Sequence, residues 1–241
     1  MNKRVLITGG AKGLGKEIAV LFAKNNYDVV ITYKNSEIDA SKMQKYLVEN
    51  YDVSVDIYKM DICDEANIKE LISKLNNLDV LINNAAYNND CDIFEHTKEE
   101  FIKVLDTNLV GPFLLSKYAY PLLKESSGNI INIASTNGID TMYKESLDYD
   151  ASKAGLINLT KNLAVAFAPY VRVNAIAPGW IKTESTNDMN PKFVENELKH
   201  ILLNRFAEKD EIAKVIYFIA SDDASYINGS IIRVDGGYKN D

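Results

Sequence analysis

The chain has 241 residues, 46% hydrophobic and 25% charged, which is the balance of an ordinary globular protein that reads as one domain over 1–241. Its net charge of −7, with no basic tract, argues against nucleic acid and anionic membrane as partners, and no apolar run approaches the ~20 residues of a membrane span. Cys63 and Cys91 are far apart and in no metal-ligand spacing, and the N-terminus carries no secretory segment, so a reduced, cytoplasmic protein without a metal site is expected, with His96 and His200 isolated and non-catalytic.

In chain order, short β-branched runs alternate with longer helical periods. Val5–Thr8 predicts a strand, and a helix follows from about Leu14 to Lys24. Val29–Tyr33 is the second strand, followed by a helix over Ser36–Glu49; Val53–Tyr58 is the third, followed by a helix over Asp64–Leu75. Asp79–Ile82 is the fourth strand, and one long helix is expected from Lys98 through Leu123. Asn129–Ala134 is the fifth strand, with a helix over Leu147–Ala168, and Val171–Ala175 is the sixth. Lys182–Asn190 is polar and aperiodic and reads as a flap. Helical segments follow over Pro191–Leu203 and Lys209–Ala220, and Ile231–Val234 closes the chain as a seventh strand. Strands this apolar are buried on both faces, and alternating βαβ units give an α/β, Rossmann-like, doubly wound fold: a mostly parallel seven-stranded sheet with helices on both faces.

In such sheets ligands sit at the carboxyl ends of the strands, and the residues there are informative. Thr8-Gly9-Gly10-Ala11-Lys12-Gly13-Leu14-Gly15 joins the first strand to the first helix. Its G-x-x-x-G-x-G spacing allows a tight turn, close backbone approach to a pyrophosphate and a helix N-terminus aimed at that anion. The third strand ends before Asp61-Ile62, where a carboxylate could accept from an adenine amino group. The fourth ends in Asn83-Asn84-Ala85-Ala86, the fifth in Ser135 and the sixth in Pro178-Gly179. Tyr149 and Lys153, four apart, project from one helix face, a weak signal alone but a proton-transfer pair in this company.

Together these residues resemble the short-chain dehydrogenase/reductase family over nearly the whole chain: the glycine turn, Asp61, Asn83–Ala86, Asn108, Ser135, Tyr149-x-x-x-Lys153, and Pro178-Gly179 followed by Thr183. Ala86 departs mildly from the usual glycine. The resemblance implies hydride transfer between a nicotinamide and a carbinol or carbonyl carbon. It also implies Tyr149 as general acid or base, Lys153 on the nicotinamide ribose, Ser135 as donor to the substrate oxygen, and Asn108 anchoring a proton-relay water. A Lys153 ammonium ~4 Å from the phenol would lower its pKa by roughly three units toward working pH. Gly9, Lys12, Gly13, Leu14, Gly15, Tyr33, Lys34, Asp61, Ile62, Asn84, Ala85, Ala86, Pro178, Gly179, Ile181 and Thr183 would line the cofactor site with Tyr149 and Lys153.

The interval from Ser135 to Tyr149 is one residue longer than is common in that family. The first half of Thr136–Asp148 is therefore expected to turn away and the second, near Tyr143 and Leu147, to line a substrate wall, with Thr136 as the substitute should Ser135 be displaced. The second strand ends in Thr32-Tyr33-Lys34-Asn35, with no carboxylate before Glu37. Lys12 and Lys34 could flank a 2′-phosphate, so NADP is preferred and NAD remains possible. Trp180, Ile181 and the flap would cover the substrate. The leading substrate is a 3-oxoacyl thioester, by resemblance to 3-oxoacyl-carrier-protein reductases. A sugar, polyol or small ketone is the alternative, because the helix ends expected to meet an acidic carrier hold a single basic residue, Lys124. A non-catalytic NADP-binding protein is the reading from another class. The resemblance further implies a homodimer or homotetramer.

Overall fold

Residues 2–239 are described by the computed structural model. The strands are β1 (Arg4–Thr8), β2 (Asp28–Tyr33), β3 (Val55–Lys59), β4 (Val80–Asn83), β5 (Asn129–Ile133), β6 (Arg172–Pro178) and β7 (Ile231–Val234). They form one sheet in the order β3-β2-β1-β4-β5-β6-β7, and every pairing is parallel. The chain winds outward from β1 in one direction and then reverses, so the crevice between β1 and β4 is the topological switch point.

The pleat sorts the core into two layers. Val5 and Ile7 of β1 join Ile18 and Phe22 of α1 (Gly13–Lys24) and Ile212 and Ile216 of α9 (Lys209–Ala220) on one face. Leu6 and Leu81 pack on the other face against Leu115 and Leu123 of α5 (Gly111–Glu125) and Leu163 of α6 (Leu147–Phe167). The remaining helices are α2 (Glu37–Asn50), α3 (Glu65–Ser73), α4 (Lys98–Leu105), α7 (Glu184–Asn187) and α8 (Pro191–His200). Side-chain caps set two of the starts: Asp64 accepts from the backbone N–H of Ala66 and Asn67, and Thr97 accepts from that of Glu100.

Three expectations change. The helix expected to run unbroken over Lys98–Leu123 is interrupted by a π-helical turn at Asp106–Val110. That turn carries Asn108, which is fully buried and bonded to neighbouring segments, and such widened turns recur at functional sites. The flap contains the one-turn helix α7, entered through reciprocal bonds between Thr183 and Thr186. Local capping of this kind leaves no periodicity to read. Finally, β7 is an edge strand and only partly buried.

Candidate active site

The glycine turn leaves the carboxyl end of β1 with two residues in the left-handed region, Gly9 at φ 65° and Gly13 at φ 54°. A Cβ on Gly15 would lie 2.3 Å from the Gly9 carbonyl oxygen and 2.8 Å from Asn84 Nδ2, so only glycine fits the start of α1. The turn is tied across the switch point to β4. Thr8 Oγ1 accepts from the backbone N–H of Asn84 and of Ala85, each at 2.9 Å, and Asn84 Nδ2 donates to the carbonyls of Thr8 (2.9 Å) and Gly9 (3.3 Å). Behind it Asn83 Nδ2 donates to Asn132 Oδ1, and Asn132 Nδ2 to Thr160 Oγ1 on α6, a buried polar chain joining β4, β5 and α6.

A cavity of about 1050 Å³ runs from this turn to the carboxyl ends of β5 and β6. Of the residues expected at the cofactor, Gly9, Leu14, Tyr33, Lys34, Ile62, Asn84, Ala85, Ala86, Tyr149, Gly179, Ile181 and Thr183 line it. Lys12, Gly13, Gly15, Asp61, Lys153 and Pro178 do not. Asp61 pairs with Lys34 at 2.6 Å and accepts from the Cys63 backbone N–H. Lys12 pairs with Asp39 at 2.8 Å, a carboxylate in the first turn of α2.

At the other end Ser135 and Tyr149 face the cavity. Ser135 Oγ donates to Asn137 Oδ1 and accepts from the Asn137 backbone N–H, both at 3.2 Å. Asn137 Nδ2 is held in turn by Asp150 Oδ1 at 2.7 Å. Asn137 also lines the cavity and was missed in the sequence, where nothing but its place two residues after Ser135 marks it. Asn108 Oδ1 accepts from the Tyr87 N–H, while Nδ2 donates to the Tyr87 carbonyl and to Ser152 Oγ. Lys153 is buried, donates to the Ile133 carbonyl at 2.7 Å, and holds Nζ 5.3 Å from the centre of the Tyr149 ring.

The electrostatics correct one expectation. Burial pushes Tyr149 up to about 12, and a hydrogen bond with Ser135 pulls it partly back. Burial brings Lys153 down to about 8. Desolvation outweighs the attraction expected between the two groups, and the ammonium spends a donor on Ile133. Tyr149 is thus a protonated acid across the neutral range. The loop expectation also changes: Thr136, Asn137 and Thr141 of the first half line the cavity alongside Tyr143, whereas Leu147 does not and is 39% exposed. Nor is His96 isolated, since its Nδ1 lies 3.6 Å from Oδ2 of buried Asp148, whose other oxygen caps the Tyr149 N–H.

Comparison with known proteins agrees with this geometry. The sequence profile of a family described as enoyl-(acyl carrier protein) reductase matches residues 9–239. A 3-oxoacyl-[acyl-carrier-protein] reductase from Staphylococcus epidermidis is 37% identical over 243 residues, covering 98% of this chain and 99% of the relative. The chain belongs to the short-chain dehydrogenase/reductase family. As a short-chain dehydrogenase/reductase it is an oxidoreductase of a family that uses a nicotinamide cofactor. The Thermotoga maritima 3-oxoacyl-[acyl-carrier-protein] reductase is 36% identical over 98% of this chain and 97% of its own length. Among solved structures, acetoin dehydrogenase YohF from Salmonella typhimurium superposes with a TM-score of 0.88 at 30% identity, covering 99% of this chain and 96% of that one. A mutant short-chain dehydrogenase/reductase from Serratia marcescens gives 0.92 at 28%, covering 98% and 97%. Among the described residues no helix is long and apolar enough to cross a membrane.

Proposed function

We propose that this short-chain dehydrogenase/reductase is an NADP(H)-dependent reductase of 3-oxoacyl thioesters, with Tyr149, Lys153 and Ser135 as its catalytic residues and Asn108 positioning them. The observation that carries the reading is the placement of Tyr149 and Ser135 at one end of a cavity whose other end is the glycine turn, with buried Lys153 Nζ behind the Tyr149 ring. The cavity fits a dinucleotide: its turn has no room for a Cβ at Gly15, and the N-terminus of α1 follows directly. When bound, the nicotinamide supplies the hydride that reduces the carbonyl carbon. Tyr149 Oη gives its proton to the carbonyl oxygen as that oxygen gains charge. Ser135 Oγ orients the same oxygen, and the Lys153 cation stabilises the phenolate left behind. Asn108 holds the α4–α5 turn against the backbone of Tyr87 and against Ser152, which fixes the face of α6 that carries the pair. Proton transfer by a positioned group of this kind contributes typically ~10²–10⁴ in rate.

NADP is preferred on the strength of Lys34 and Lys12. Both form largely exposed ion pairs, which are weak, so each can exchange its carboxylate for a 2′-phosphate. The 3-oxoacyl substrate follows the two relatives named for it. A second reading, a small ketone or sugar, is favoured by Asp90 and Glu145 on the cavity lining, which would oppose an acidic carrier protein. A homodimer or homotetramer is supported by exposed Phe113 and Val165 on α5 and α6, and a cytoplasmic location by two free cysteines. The test is NADPH oxidation on an acetoacetyl thioester against acetoin, sugars and other small ketones, repeated with NADH. Turnover of the thioester with NADPH is expected to be the most efficient. Greater efficiency with NADH overturns the cofactor assignment, and exclusive turnover of small ketones overturns the substrate.

A further inference from the structure

Among the described residues Glu197 is the one buried glutamate, 4% exposed, and it lies in the last turn of α8. Both facts count against it, because burial penalises a carboxylate and the helix dipole disfavours an anion at a C-terminus. Its compensation is three donors on a single oxygen. Oε2 accepts from Tyr143 Oη at 2.6 Å, from Tyr238 Oη at 2.9 Å and from Trp180 Nε1 at 2.9 Å, the single indole N–H being shared with Tyr143 Oη at 3.0 Å. Hydrogen bonds to an ionised acceptor are the strong ones, about twice as strong as neutral pairs.

The three donors come from segments far apart in sequence. Tyr143 belongs to the β5–α6 loop, six residues before Tyr149. Trp180 follows Gly179 at the end of β6, and Tyr238 lies beyond β7. All three line the cavity, and Glu197 itself does not. Ring contacts complete the arrangement: Tyr143 meets Trp180 edge-on at 5.7 Å, Phe193 of α8 meets Trp180 edge-on at 5.6 Å, and Phe206 stacks on Trp180 at 5.6 Å. Apolar packing holds these rings together but fixes no rotation, whereas the phenol and indole donors aimed at one oxygen do.

We propose that Glu197 is the positioning residue of the substrate wall: from behind the cavity, its carboxylate fixes Tyr143, Trp180 and Tyr238 and thereby sets the shape offered to the carbonyl compound. The proposal rests on the oxidoreductase reading of the cavity but not on which carbonyl compound is the substrate. It docks α8 onto the site through the same three bonds.

The test uses Glu197→Leu, which removes the acceptor, and Glu197→Gln, which keeps one acceptor oxygen at nearly the same volume. Trp180 is the chain's single tryptophan, so its emission reports the state of the indole bond without any turnover. In Glu197→Leu the emission maximum is expected to shift and KM for the carbonyl substrate to rise about tenfold, the scale of one lost bond to a charged group. Cofactor Kd should stay at the wild-type value and kcat change less than KM, and Glu197→Gln should recover most of both signals. If Glu197→Leu does not fold, the Tyr143→Phe/Tyr238→Phe double variant, which removes two donors from the other side, is expected to raise KM equally. Wild-type KM and emission in the folded variants overturn the proposal, as does a general loss in which KM rises while kcat and cofactor affinity fall to a similar extent. Should the thioester prove not to be the substrate, the emission result and the KM for whichever ketone turns over still decide the matter.

Discussion

The two ends of the cavity are built on opposite plans. The cofactor end is made of strand ends and backbone: the side chains of Thr8 and Asn84 bond main-chain groups of Thr8, Gly9, Asn84 and Ala85 and so lock β1 to β4, within two short stretches of sequence. The substrate end is made of side chains from four distant segments, at 143, 180, 197 and 238, gathered on one carboxylate oxygen. A ligand bound through its pyrophosphate needs the same backbone cradle whatever the enzyme reduces. A substrate wall built from side chains can be reshaped without disturbing the sheet.

That contrast can be broken most severely at the cofactor end. Gly15→Ala puts a Cβ 2.3 Å from the Gly9 carbonyl, which neither backbone can avoid, so the turn must move. Cofactor Kd, measured by calorimetry, is expected to rise on the order of 100-fold, roughly two lost charge-assisted bonds. An unchanged Kd would separate the turn from cofactor binding. A smaller effect comes from pH. Tyr149, held at about 12, stays protonated through the neutral range, so it imposes no fall in reduction there. Lys153, lowered to about 8, loses its charge above that pH. Reductive kcat/KM should therefore be level below pH 8 and fall about tenfold per unit above it, the slope of one lost proton. A profile that stays flat to pH 10 would remove Lys153 from the mechanism. The linkage sign for stability is opposite: between about 8 and 10.5 the unfolded chain binds the proton that the native state has released, so Lys153 makes stability rise with pH.

The smallest expected effect is at the lock itself. Thr8→Val keeps the shape but leaves two N–H groups without their acceptor, and urea unfolding should show a loss of about 1–3 kcal/mol. Glu197→Leu, at the other end, is expected to affect the substrate KM while sparing cofactor affinity.

The same contrast explains what was legible in the sequence. The seven strands and their mostly parallel pairing follow from apolar runs spaced by helical periods, and residues such as Gly9, Asn84, Ser135 and Tyr149 are visible because they sit at strand ends or at a fixed i,i+4 spacing. The π-turn at Asp106–Val110 was not, because Asn108 is pulled inward by Tyr87 and Ser152, partners that periodicity does not see. Asn137 and Glu197 were hidden for the same reason. Each is an ordinary polar residue on a loop or an amphipathic helix until the fold brings Asp150, Tyr143, Trp180 and Tyr238 to it. The Tyr149 acidity was misjudged because charge spacing can be read from the sequence and burial depth cannot.

The central claim is that Tyr149 is the proton donor of a nicotinamide-dependent reductase. Tyr149→Phe deletes only the hydroxyl, and NADPH oxidation by the substrate found in the screen is the measurement. Retained cofactor Kd with kcat lowered by roughly 10²–10⁴ is the predicted result. Undiminished kcat in that variant would contradict the account.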